Sequence, residues 1–131
     1  MKLTYTIFFA VLSLTFLSCT DGSTKSPNTN STTKPEGELI PRSSQESAKY
    51  YLISVEADGE FLRSTHSRVS SMSHGYSITR IDCKAKRYQD LGYGENKQSN
   101  IKIYKKTQWA NLVNGSSKYD LVSFVCSRNN Q

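Results

Sequence analysis

The chain is poor in the residues that catalysis and metal binding usually require. Its 131 residues include two histidines, His66 and His74, and three cysteines, Cys19, Cys83 and Cys126. One histidine pair and two widely separated cysteines are too sparse for a zinc site. Both histidines lie in a Ser-rich stretch, His66 beside Ser64, Thr65 and Ser67. Neighbours in sequence do not build a triad, so surface or loop histidines are the expectation. Glycine is scarce, and Gly92-Tyr93-Gly94 lacks both the strand-to-helix context and the Lys-Ser/Thr ending of a phosphate loop. Acidic residues are few and unpaired. The expectation is a non-enzyme with no cofactor and no metal.

Long apolar runs are equally rare, and one stands out. Leu3 to Leu17 is almost wholly apolar behind a single positive Lys2, and Ser18 precedes Cys19. That is the layout of a secretory signal over residues 1–18, too short for a typical membrane-spanning helix. Leu14-Thr15-Phe16-Leu17-Ser18-Cys19 resembles a bacterial lipobox, with Phe16 where Leu is usual. The resemblance implies lipidation of Cys19, cleavage before it and a stable multi-chain anchor. Thr20 in place of Asp implies onward export to the outer membrane, facing the cell surface or the periplasm. The alternative is ordinary signal-peptidase cleavage nearby, releasing a soluble protein. Cysteine parity favours lipidation, because using Cys19 leaves Cys83 and Cys126 as an even pair in an oxidising compartment. Their bridge would close a loop of about forty residues, a constraint of about 2–4 kcal/mol. Two free buried thiols are the alternative.

Residues 20–46 are Ser, Thr, Asn, Pro and Gly with scattered charge, and apolar side chains are nearly absent before Leu39 and Ile40. Such a segment buries too little to offset the ordering of its backbone, so residues 19–46 read as a lipidated cysteine and a flexible tether. Residues 47–131 are richer in aromatic and β-branched side chains and form one small domain. Tyr50 to Ala57 alternates, with Tyr51, Ile53, Val55 and Ala57 on one face. Asp58-Gly59 signals a hairpin into a second strand, Glu60 to Val69. Ser70 to Gly75 reads as a loop. Tyr76 to about Tyr88 reads as one long third strand, with a bulge where the phase slips between Ile78 and Ile81. Leu91 to Asn100 reads as a turn region and Asn100 to Lys106 as a further strand. Near the C-terminus a cap around Ser117, followed by Leu121, Val122 and Val125 at helical spacing, favours a short helix over a strand. The fold class is α+β and mainly antiparallel β, with a small twisted sheet, one C-terminal helix and one disulfide.

Charge of one sign is concentrated. Residues 47–131 carry thirteen Lys/Arg against seven Asp/Glu, which equals the net +6 of the whole chain. Lys84, Lys86, Arg87 and Tyr88 cluster beside Cys83, and Lys102, Lys105 and Lys106 follow on a later strand. Were those strands neighbours, the side chains could form one basic patch for an acidic glycan, anionic lipid or acidic protein. A merely solvated basic surface is the alternative. Export makes nucleic acid a poor partner, and exposed strand edges permit a homodimer.

Ile81-Asp82-Cys83-Lys84-Ala85-Lys86-Arg87-Tyr88, then Trp109, Gly115-Ser116 and Cys126, resembles the surface-adhesin protein E family of small bacterial lipoproteins. The likeness spans about residues 50–126, with Asn114 where many members carry Pro. It implies a compact antiparallel sheet with a C-terminal helix, a disulfide between Cys83 and Cys126, and binding of host extracellular-matrix or plasma proteins. The leading expectation is therefore a lipid-anchored, non-catalytic binding module with Lys84, Lys86, Arg87 and Tyr88 as its contact. A periplasmic inhibitor or immunity lipoprotein that binds a lysozyme or toxin is the alternative. A structural envelope protein without a ligand is the third reading.

Overall fold

A computed structural model describes residues 34–129. The expected signal segment, residues 1–18, and Cys19, the expected lipidation site, lie outside the described residues. The strands are β1 (Glu38–Leu39), β2 (Lys49–Asp58), β3 (Phe61–Val69), β4 (His74–Asp82), β5 (Arg87–Glu95), β6 (Lys102–Ile103) and β7 (Ala110–Asn111); one helix, α1 (Ser117–Asn129), follows. The strands form a single antiparallel sheet in the order β1-β2-β3-β4-β5-β6, and β7 also pairs with β5. The mainly antiparallel α+β architecture is thus as expected.

The helix covers one face of the sheet. Leu121, Val122 and Val125 are buried against Ile40, Leu52 and Ile81, with Val55, Leu62 and Tyr88 packed around them. The side chain of Ser116 caps the helix by accepting the Tyr119 N–H at 3.1 Å. The Cys83–Cys126 disulfide, with Cα atoms 5.5 Å apart, ties the helix to the loop after β4.

Several expectations need correction. The first long strand does not keep one face inward. Its register against β3 slips between Leu52 and Ser54, leaving Ile53 as the extra residue of a bulge. A bulge reverses the alternation, so Tyr50 and Leu52 point coreward before it and Val55 after it. The β2–β3 loop is Gly59-Glu60, with Gly59 at φ +66°, one residue later than read. The supposed third strand is two strands, β4 and β5, hinged at Cys83–Lys86. Lys86 adopts a left-handed φ of +50°, which apolar periodicity cannot reveal. The expected bulge is present, between Ile78 and Thr79.

Residues 91–95 are strand, not turn. Gly94 serves close approach there, because a Cβ at that position would lie 2.5 Å from Asn100 C and Ile101 N. The strand expected over residues 100–106 shortens to β6. The tether also ends sooner than its composition suggested. β1 pairs with β2, Ile40 is 2 % exposed in the core, and Arg42 forms an ion pair with the buried Asp120 of α1. A Ser/Pro-rich strap around a few anchors is compositionally indistinguishable from linker.

Candidate functional site: a basic turn and a polar cavity

The four residues expected to make the contact lie together on the β4–β5 hairpin, in two different roles. Asp82 closes the loop from within, accepting the Ala85 N–H at 2.9 Å and Arg87 Nε at 2.9 Å. The Ala85 N–H above all, with Arg87, holds the Asp82 carboxyl below the usual carboxylate range. The Arg87 guanidinium sits 4.6 Å over the Trp109 ring, which packs on Phe61 at 4.9 Å. Tyr88 packs on the core. Arg87 and Tyr88 are therefore engaged in holding the hairpin. Lys84 and Lys86 are exposed and form no ion pair with a described residue.

Of the wider basic patch, Lys102 lies apart from the turn. β6 does pair with β5, but through Gly92–Ile103 and Tyr93–Lys102. Tyr93 is six residues along β5 from Arg87, about 20 Å at strand rise. Lys102 and the Lys84/Lys86 turn thus lie at opposite ends of β5. Around Lys102 the surface is mixed, since Tyr93, Ile103 and Tyr104 are exposed apolar neighbours.

Neither histidine is a surface or loop residue. His74 opens β4 and stacks on Tyr76, ring centroids 4.5 Å apart. His66 lies mid-strand on β3, only 6 % exposed. Burial, and then the nearby Lys118 charge, push its pKa down to about 3, so its ring is neutral. The strand pairing explains the burial. His66 faces Leu52 on one side and Ser77 on the other, on the face that α1 covers.

This face has an apolar half and a polar half. In the polar half a cavity of about 170 Å³ is lined by Tyr50, His66, Arg68, Ser77, Tyr93 and Lys118, with Ser117 at the start of α1. Lys118 Nζ donates to Thr79 Oγ1 at 2.8 Å and to Asp90, and Thr79 Oγ1 donates to Asp90 at 2.9 Å. Burial lowers the Lys118 pKa, with Asp90 opposing. Arg68 divides its donors among Tyr50 Oη at 3.1 Å, Ser73 Oγ at 3.4 Å and Glu46 at 3.3 Å. Gly75 makes room for Tyr93, whose hydroxyl would lie 2.7 Å from a Cβ there. His66 Nδ1 is buried without a hydrogen-bond partner among the described residues.

Sequence reasoning missed this cavity. Its residues come from β2, β3, β4, β5 and α1, and the one available signal was alternation placing His66 and Arg68 on the Ser64 face. The described residues hold no cluster of three metal-ligating side chains, and none of their helices is long and apolar enough to cross a membrane. The chain matches no family model, no curated protein and no solved structure.

Proposed function

We propose that the protein is a lipid-anchored bacterial envelope module that acts by binding rather than by catalysis, in the manner of the adhesin E proteins its signature resembles. The observation that carries this reading is the β4–β5 turn. It is held by Asp82, by the Arg87–Trp109 stack and by the disulfide, and it includes a left-handed Lys86, a conformation costing about 1–2 kcal/mol in an L-residue. Yet the two side chains at its tip are lysines that no described residue neutralises. A pre-organised, unpaired cationic tip suits an acidic protein or glycan, because little ordering is lost on contact.

The test uses cells producing the full chain. Binding to immobilised heparin, vitronectin and laminin should weaken as salt rises, and the double substitution Lys84→Ala/Lys86→Ala should remove most of it. Arg87→Ala should instead lower stability, since its guanidinium is part of the hairpin. Cys19→Ala should release the protein from the membrane fraction. Salt-insensitive binding that survives the double substitution would overturn the turn as contact. Failure of surface labelling on intact cells would favour the periplasmic inhibitor reading.

A further inference from the structure

We infer that the cavity between α1 and the β2–β5 face is a binding site for a tetrahedral oxyanion, phosphate or a phosphate ester. Two cationic side chains line it, Arg68 from β3 and Lys118 from α1, and no carboxylate does. The start of α1 lines it too, through Ser117 and Lys118; the first N–H groups of a helix have no partner within it and carry the positive end of its dipole. Hydroxyls of Tyr50, Ser77 and Tyr93 line it from three further strands; those of Tyr50 and Tyr93 now donate to Glu46 and Glu95 and would have to turn to meet a ligand. Polar groups lining the cavity from five elements suit an acceptor with oxygens in several directions, whereas a planar carboxylate is met by one fork.

An independent sign comes from His66. It is buried in the cavity wall, and its Nδ1 has no partner among the described residues. A buried polar atom left unpaired is costly, about 1–3 kcal/mol, and calls for a ligand or water. A neutral imidazole carrying its proton on Nδ1 would donate to the anion. Arg68 is equipped to change partners, because its present contacts are long, 3.1 to 3.4 Å, and its side chain is 44 % exposed at the mouth. Its carboxylate partner Glu46 and the Lys118 partner Asp90 do not line the cavity. The cavity exceeds a bare phosphate in size, leaving room at the Tyr50 and Tyr93 rings for an esterified group.

This site is separate from the Lys84/Lys86 turn. Gly75 and Ser77 lie near the start of β4, whereas the turn follows its end, about 20 Å or more away. The inference therefore stands whether or not that turn binds a partner.

The experiment titrates the full chain, purified in detergent, with inorganic phosphate while following the His66 ring nitrogens by NMR and heat by calorimetry. Saturable one-to-one binding with movement of the His66 signals is expected. Arg68→Gln and Lys118→Met should each weaken it about tenfold or more, as loss of a charge-assisted hydrogen bond implies. Lys84→Ala/Lys86→Ala should leave it unchanged. Arg68 is half exposed, so its variant retains the fold, which backbone amide dispersion checks directly. A parallel titration with glycerol phosphate separates the sources. Equal affinity assigns the free ion, and tighter ester binding assigns the phosphate of a larger molecule; both carry the inference. Absence of saturation with either probe, unmoved His66 signals, or affinity unchanged in both cavity variants would overturn it.

Discussion

Mild acid should destabilise this fold through one residue, His66. Its neighbours in the cavity are Tyr50 from β2, Arg68 from β3, Ser77 from β4, Tyr93 from β5 and Lys118 from α1, so among the described residues the charges that line the cavity with it are positive. Burial above all, and then the Lys118 charge, lowers its pKa on folding from 6.5 to about 3. Between those values the unfolded chain binds a proton that the folded chain refuses. Stability is accordingly full above pH 6.5 and falls as the pH drops. At about 1.4 kcal/mol per pH unit, the loss reaches about 2 kcal/mol by about pH 5. That is a large share of the roughly 5–15 kcal/mol that holds a small domain together. The carboxyls of Glu38, Asp58 and Asp82 are also held low by their partners, but they withdraw stability only below their ordinary values of 4.5 and 3.8. The interval from about pH 5 to 6.5 therefore isolates the histidine. Urea unfolding across that interval should show the slope in the wild type and lose it in His66→Gln. An equal slope in both proteins, or an NMR titration of His66 near its ordinary value, would refute the reasoning.

The other predictions concern how the domain is held. Asp120→Asn leaves the Arg42 guanidinium, 13 % exposed, without its buried partner and should cost about 3 kcal/mol in urea unfolding. Ile40→Ala should cost about 2–4 kcal/mol by the same measurement, and a chain beginning at Ser47 should lose both contributions. Reduction of the Cys83–Cys126 bond should lower stability by about 2–4 kcal/mol, read as a shift in the unfolding midpoint with and without reductant. Gly94→Ala forces a Cβ into the backbone of Asn100 and Ile101 and should destabilise by about 1–3 kcal/mol, with the largest amide shifts at residues 98–103.

What could be read in advance depended on the range of the interaction. Alternation in Tyr50–Ala57, the turn near Gly59, the phase slip after Ile78 and the helical spacing of Leu121, Val122 and Val125 are local, and each element formed. Ile53 shows the limit. Its bulge is set by pairing with β3, and one inserted residue sends Leu52, not Tyr51, to the core. Gly92 and Gly94 mislead for a related reason. They look like turn formers, but they are strand residues kept small because another segment crosses over them. At the candidate site, Lys84 and Lys86 were legible because they are two residues apart in the chain. The separate role of Arg87 was not, since it depends on Trp109 arriving from more than twenty residues away.

By itself the sequence determined the composition-bound facts: a basic domain in residues 47–131, Cys83 and Cys126 available to bridge, and a mainly β pattern. These rest on residue types and near neighbours, which a linear chain displays. Tertiary structure decided where the charge is free and where it is used. Arg87 is stacked, Lys118 is buried against Asp90, and Lys102 lies at the far end of β5 from the Lys84/Lys86 turn. It also decided the environment of His66, exposed by sequence expectation and buried in fact. Solvation and pairing belong to surroundings assembled from distant segments, and those surroundings exist only once the sheet and helix have closed on each other.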